Sequence, residues 1–231
     1  MGMTLGAAAV SSVSNSAGSP VTVTYNGLTA GRGLVCAVMV HDSIGTSNSV
    51  DSISDGTTSF TLLGTYTFND TLNWGLQIGY LPAQVAGGNK TITGAFTSGD
   101  GGTAGAVIIC AEVYDSVTGG IAVDGTGNAQ GSSADPTVNV TTGTANSAIL
   151  AFVAPFSFPT GGSGYTVLKA VNWFLFETSE YDLDVGAAGT YAAGWTAAAA
   201  QWVIAAAGFK AAGGAGPAQH DPFTKVLFKA A

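Results

Sequence analysis

The sequence predicts an all-β protein: a two-sheet antiparallel β-sandwich, jelly-roll-like, with a C-terminal extension. Charged residues make up only 9% of the chain and hydrophobic residues 46%, the opposite of the balance in disordered chains. Glycine is abundant, with 34 residues, and turn residues separate short runs that alternate between apolar and polar. At 231 residues, a sandwich often forms one core.

The longest apolar run in mid-chain, Gly105–Asp115, predicts a strand buried on both faces. Gly33–His41 and Asn146–Val153 have the same character, and we expect all three to line one sandwich core. Residues 20–41 resemble residues 136–153, because each stretch is an alternating strand, a turn and a buried strand. The similarity could reflect two halves built alike, but chance similarity between strands rich in Thr and Val explains it nearly as well. The sequence alone therefore does not decide whether the chain contains an internal repeat.

Three other segments are harder to assign. Met1–Ala8 is expected to be a loose lead, and the polar, glycine-containing segment Ser116–Asp135 a long crossing between parts of the sandwich. The stretch Ala197–Ala207 has high helix propensity, but its flanking tryptophans and all-β surroundings favour a strand. We expect residues 1–211 to form the sandwich domain and residues 212–231 a linker and arm.

The charge and the hydropathy of the sequence argue against nucleic acid and membranes as partners. A net charge of −8 with six basic residues cannot form the basic patch typical of nucleic-acid binding. No stretch approaches the roughly 20 apolar residues of a membrane span. No leader is recognisable, so we expect synthesis in a host cytoplasm.

The two cysteines, Cys36 and Cys110, both fall in mid-strand among apolar residues. The leading interpretation is a pair of buried free thiols that act as small hydrophobic side chains. An inter-sheet disulfide is the alternative, which a reducing compartment disfavours.

The acidic residues cluster once, at Glu177, Glu180, Asp182 and Asp184. A solvated polar face is the default interpretation. A calcium site is the sharper alternative, because hard cations bind carboxylate and carbonyl oxygens. No EF-hand spacing is present, so the sequence predicts no cofactor, with calcium kept as the alternative.

No residue pattern predicts an enzyme. His41 and Asp42 are adjacent, and adjacent residues of a strand point to opposite faces. The nucleophile turn Gly-x-Ser-x-Gly is absent from the sequence. Aromatic residues in alternating strands are usually core, but if exposed they would offer a carbohydrate-stacking platform. The aromatic residues considered for it are Trp74, Trp173, Trp195, Trp202, Tyr25, Tyr66 and Tyr181.

The end of the chain carries an apolar segment behind the flexible spacer Ala211–Gly216. An arm that pairs with a neighbouring subunit would explain such a segment. Packing against its own domain and a disordered tail are the alternatives. The residues expected to form the assembly arm are Phe223, Lys225, Val226, Leu227, Phe228 and Lys229.

Six motifs along the chain carry a family resemblance. They are Val21–Tyr25, Gly33–Val40, Ser54–Gly56, Tyr80–Pro82 with Gly88–Thr93, Val107–Asp115, and Trp195 through Lys210. In this order they resemble a broad group of bacterial and phage β-sandwich proteins of surfaces and virions, with jelly-roll, lectin-like folds. The resemblance covers roughly residues 9–211 and implies a fold and a habitat, with no catalytic residues to carry over.

The expected function is therefore a non-enzymatic structural protein of a phage particle, a capsid decoration (cement) protein or a tail component. We expect it to reside in the virion and to bind itself, as a homo-oligomer, and other virion proteins, through the sandwich and the arm. Nucleic acid and membranes are not expected partners. The alternative is a carbohydrate-binding or adhesive surface module, with a glycan as ligand.

Overall fold

The computed structural model describes residues 2–16, 20–42, 49–69, 74–84, 86–97, 103–155, 160–172 and 176–213. These ranges contain 16 β-strands and no helix, and every pair of hydrogen-bonded strands is antiparallel. The predicted all-β antiparallel sandwich is confirmed. Within the same ranges, no helix has the length and apolar character needed to cross a bilayer.

Eight strands make up the first half of the chain. They are β1 (Met3–Ser16), β2 (Val21–Leu28), β3 (Gly33–Asp42), β4 (Ser49–Ser54), β5 (Thr61–Asn69), β6 (Trp74–Leu81), β7 (Gly88–Thr97) and β8 (Thr103–Asp115). Five of them form a large sheet in the order β1-β8-β3-β6-β5, and three form a small sheet in the order β2-β7-β4. The first and last strands of this unit are neighbours, as in a jelly roll.

Eight further strands make up the second half. They are β9 (Ile121–Gly131), β10 (Thr137–Thr142), β11 (Ala148–Pro155), β12 (Thr160–Gly161), β13 (Thr166–Asn172), β14 (Phe176–Asp182), β15 (Gly189–Thr196) and β16 (Trp202–Ala211). The large sheet has the order β9-β16-β11-β14-β13 and the small sheet the order β10-β15-β12.

The second half repeats the topology of the first. Every strand from β9 to β16 occupies the place in its sheet of the strand eight positions earlier. The two similar stretches in the sequence fall on equivalent strands, since residues 20–41 contain β2 and most of β3, and residues 136–153 contain β10 and most of β11. The chain therefore holds two sandwiches of the same topology.

The four sheets stack as small, large, large, small, with three apolar cores between them. The central core lies between the two large sheets and includes Met39, Ile109, Leu150, Phe152 and Phe209. The two outer cores lie between each large sheet and its own small sheet. Strands β3, β8, β11 and β16 are thus covered on both faces, which is why their sequences are almost continuously apolar.

The two units are related by approximate two-fold symmetry. Edge strand β5 of the first large sheet lies against β9 of the second, and β1 lies against β13. Because β9 is the equivalent of β1 and β13 the equivalent of β5, the same pair of edges meets twice. This is the geometry of an isologous dimer within one chain.

Two segments that were predicted to lie outside the strands contain strands, so these predictions are wrong. The expected loose lead Met1–Ala8 belongs mostly to β1, which begins at Met3 and pairs with β8. The expected crossing Ser116–Asp135 contains β9, whose glycines hid the alternating pattern. The predicted strand in Ala197–Ala207 is confirmed from Trp202 onward, while residues 197–201 precede it outside any strand.

Candidate functional site

The described residue with the most unusual environment is Glu180, on β14. It lies directly opposite Ala151 of β11, whose side chain faces the outer core of the second unit. Residues that pair across an antiparallel sheet share a face, so the Glu180 side chain points into the same core. Its relative exposure is 0%. A carboxyl group therefore lies in the interior of the second sandwich.

Two backbone N–H groups hold this carboxyl group. The N–H of Gly162 donates to Oε2 at 2.9 Å, and the N–H of Gly194 donates to Oε1 at 3.1 Å. Gly162 follows β12 directly and Gly194 lies on β15, so one side chain joins two separate segments of chain. Glycine is required at residue 162, because a Cβ there would overlap the carbonyl oxygen of Gly194.

The electrostatic balance at Glu180 favours the neutral acid. Burial raises its pKa to about 7, against the lowering effect of the two N–H donors. The described ion pairs include no partner for it. Burial also raises the pKa of nearby Tyr165 to about 12, with further contributions from the charges of Glu180, Asp182 and Tyr191. The group can accept or release a proton near neutral pH.

Two polar atoms in this region have no hydrogen-bond partner among the described residues. The Tyr165 hydroxyl and the Trp195 Nε1 are both buried and unpaired. An open groove of about 250 Å³ runs alongside, lined among others by Gly162, Ser163, Gly194 and Trp195. The backbone that donates to Glu180 therefore also forms the wall of the groove, and Glu180 lies directly behind it.

The predicted acidic cluster is divided by the structure. Glu180 is buried, so the expected solvated polar face is wrong at this position. Asp182 Oδ1 accepts from the N–H of Asp184 at 3.0 Å, and Asp184 Oδ1 accepts from the N–H of Gly186 at 3.1 Å. The side chain of Glu177 lies outside the described residues. In the described part of the chain, no group of three or more His, Cys, Asp and Glu residues is placed to hold a metal ion.

Three other buried carboxylates have cationic partners. The three described ion pairs are Arg32–Glu112 at 2.9 Å, Lys90–Asp55 at 3.2 Å and Lys210–Asp124 at 3.0 Å. In each pair the acidic side chain is at most 4% exposed. These three carboxylates therefore serve as internal structural contacts.

Asp55 illustrates the structural use of a buried carboxylate. Its Oδ1 accepts from the N–H groups of Thr57 at 2.9 Å and Thr58 at 2.6 Å, which closes the turn before Phe60. Burial alone would raise its pKa, but these bonds, that of the Thr57 hydroxyl and the contact with Lys90 together lower it to about 2. Asp55 is therefore ionised at neutral pH and serves as a turn cap.

The two cysteines form a disulfide. Cys36 on β3 and Cys110 on β8 are directly opposite each other, with their Cα atoms 4.1 Å apart, and both are fully buried. The leading interpretation of free thiols is wrong. The bond also joins neighbouring strands of one sheet rather than two facing sheets, because β3 and β8 lie side by side.

Most of the aromatic residues considered for a sugar platform are core residues. Tyr25, Trp74, Trp195 and Trp202 are at most 7% exposed, so a sugar cannot stack on their faces from solvent. Tyr181 is half-buried against the central core. The side chains of Trp173 and Tyr66 lie outside the described residues. The ring of His41 lies edge-on to Trp74, with centroids 6.1 Å apart.

The whole predicted assembly arm lies outside the described residues. It begins beyond Gly213, the last residue of the final described range. The six residues concerned are Phe223, Lys225, Val226, Leu227, Phe228 and Lys229.

Comparison with known proteins yields no relative. No protein-family model matches the chain, and no curated protein or solved structure matches it significantly. The resemblance to bacterial and phage sandwich proteins therefore rests on the six motifs alone. Function has to be argued from the sequence and the architecture.

Proposed function

We propose that the protein is a non-enzymatic structural protein of a phage particle, a capsid decoration protein or a tail component. The observation that carries the proposal is the four-layer stack of two like sandwiches. The halves share a central core to which both large sheets contribute fully buried side chains, including Met39 and Phe152. Cores of this kind are packed as densely as organic crystals and transmit load rather than flex.

The use of charge fits the same role. Three of the four described basic side chains, Arg32, Lys90 and Lys210, are paired with buried carboxylates. Lys169 is the fourth, and the other two basic residues of the chain, Lys225 and Lys229, belong to the predicted arm. An acidic body with a basic arm favours docking of the arm on the body of a neighbouring copy.

Particle fractionation tests the proposal directly. Particles would be purified on a density gradient from cells that carry the gene, and the chain quantified by mass spectrometry in every fraction. We expect it to band with the major capsid protein at a fixed ratio. A chain that stays in the soluble fractions while the capsid protein bands would overturn the proposal.

Light scattering tests the arm. We expect the full chain to be oligomeric and a truncation after Gly213 to be a folded monomer. A variant with Val226, Leu227 and Phe228 changed to Ser should also be monomeric, because the apolar side chains supply the contact. The matched control, Lys225→Gln with Lys229→Gln, should remain an oligomer but associate less tightly at low salt. An unchanged mass after truncation would contradict a self-assembly arm.

The carbohydrate-binding alternative has its own readout. The full chain would be applied to a glycan array with and without calcium. Binding to glycans by a chain that does not band with particles would favour the surface-module function over the virion function.

A further inference from the structure

Equivalent strands of the two sandwiches each carry a buried polar side chain that faces an outer core. Strand β6 of the first unit occupies the place of β14, and its Gln77 faces the first outer core opposite Val38. The Gln77 amide is satisfied, since Nε2 donates to the carbonyl of Leu63 at 2.6 Å and to that of Ile78 at 3.2 Å. The second unit has the ionisable Glu180 on the equivalent strand. On these equivalent strands, the first unit therefore buries a neutral amide and the second a titratable carboxyl group.

We propose that Glu180 is a proton-binding site that controls docking of the β12 corner, the segment from Thr160 to Tyr165. With the carboxyl group protonated, the corner is closed against β15. Ionisation of the carboxyl group releases it.

The physical reason is the cost of an unpaired charge in a core. A buried carboxylate requires donors or a cation to replace its water, and Glu180 has two backbone N–H groups. Opening the corner removes the Gly162 donor but admits water to both oxygens. The closed state is therefore compatible with the neutral acid and disfavoured with the anion.

The β12 corner is the weakest attachment in the small sheet. Only two residue pairs hold β12, Thr160 opposite Thr196 and Gly161 opposite Trp195. By contrast, six pairs hold β10 on the other side of β15. Segments with few backbone hydrogen bonds open locally at low free-energy cost.

No cation among the described residues neutralises the charge of Glu180, since none of the described ion pairs includes it. At the corner itself, Tyr165 is affected by the negative charges of Glu180, Asp182 and Tyr191. A shift of the pKa of Glu180 from 4.5 to about 7 corresponds to a change of up to about 300-fold in the open-to-closed ratio on ionisation. The unpaired Tyr165 hydroxyl and Trp195 Nε1 would gain water in the same step.

Hydrogen exchange on the full chain tests the proposal. Exchange would be followed by mass spectrometry at pH 5.5 and pH 8.5 and corrected for the intrinsic effect of pH. We expect peptides covering residues 160–165 and 189–196 to lose at least tenfold protection at the higher pH. Peptides from 21–28 and 88–97, in the first small sheet, are the internal control and should keep theirs.

Two variants assign the effect to Glu180. Glu180→Gln carries no titratable group, so protection of the corner should become independent of pH. Asp182→Asn removes a neighbouring carboxylate on the same strand and should leave the pH dependence in place. Equal protection of the wild-type corner at both pH values, or the same pH dependence in Glu180→Gln, would overturn the proposal.

A carboxyl ¹³C titration of Glu180 in the wild-type chain keeps the test decisive if Glu180→Gln does not fold. A midpoint between about 6 and 8 that coincides with the pH at which the wild-type corner loses protection supports the proposal, and a midpoint near the ordinary value for Glu overturns it.

Discussion

Buried carboxylates in this protein occur in two opposite electrostatic situations. Asp55 receives several hydrogen bonds and a lysine, so its pKa is lowered to about 2. Glu180 receives two backbone N–H groups and no cation among the described residues, so burial dominates and raises its pKa to about 7. The difference comes from the number and charge of the partners, because both side chains are removed from water.

This contrast predicts an unusual dependence of stability on pH. Glu180 binds its proton more tightly in the folded state, so its contribution is intact at acid pH and declines between about 4.5 and 7, by about 3 kcal/mol. Asp55 acts in the opposite sense, and its contribution is lost as pH falls from about 4 towards 2. Maximum stability is therefore expected near pH 4 to 5.

Urea denaturation between pH 3 and pH 8.5 checks this expectation. The decline above pH 5 should disappear in Glu180→Gln and persist in Asp182→Asn. A wild-type midpoint that rises from pH 5 to pH 8 would contradict the assignment to Glu180.

At the level of the element, the close approach of β9 to β10 depends on two glycines. A Cβ at Gly125 would overlap the carbonyl of Thr141, and one at Gly127 the carbonyl of Asn139. The strands belong to different sheets of the second unit, so these glycines bring the large sheet and the small sheet together at one corner.

Gly127→Ala is therefore expected to destabilise the protein by about 2 kcal/mol, because backbone atoms cannot rotate away as a side chain can. Gly143→Ala is the matched control, since the nearest atom to its added methyl group lies 3.7 Å away. The control should stay within about 0.5 kcal/mol of wild type. Chemical denaturation measures both, and equal effects in the two variants would refute the close-approach argument.

The disulfide between β3 and β8 makes a second prediction at this level. Its sequence separation of 74 residues implies a stabilisation of about 4 kcal/mol from the restricted unfolded chain. Refolding under reductant should lower the thermal midpoint. Cys36→Ala with Cys110→Ala should have a similarly low midpoint with or without reductant. A wild-type midpoint that is insensitive to reduction of the unfolded chain would contradict the prediction.

The strands differ in how readily their sequences predicted them. Strands β3, β8 and β11 were predictable because both faces are buried, which leaves an unbroken apolar run. The sequence does not predict strand β9, because Gly125 and Gly127 lie where close packing leaves no room for a side chain. In the sequence, Glu180 is only one of four clustered acids, because its neighbours Ser179 and Tyr181 give no sign that its face is the buried one. The donors that define its environment, Gly162 and Gly194, come from distant parts of the sequence.

At the level of the whole molecule, the central core is shared between the two units. Both large sheets contribute fully buried residues to it, including Ile109 and Leu150. Loss of either unit would expose this face of the other to water, at a cost of about 25 cal/mol for each Å² of apolar surface. Neither unit is therefore expected to remain folded when its partner unfolds.

Calorimetry provides the measurement. We expect one thermal transition, with equal calorimetric and van't Hoff enthalpies. Phe152→Ala, in the central core, should lower the midpoint by an amount equivalent to about 3 to 5 kcal/mol while the transition stays single. Two resolved transitions in the wild-type chain would show that the units unfold independently.

The link between the two units is the short segment 116–120, between the end of β8 and the start of β9. A dimer of separate chains exists only above its dissociation constant, whereas a short tether sets a millimolar or higher effective concentration. Dilution that would dissociate an ordinary two-fold dimer therefore leaves this one assembled. The first unit carries the disulfide and the second carries Glu180, and the tether ensures that each molecule contains one of each.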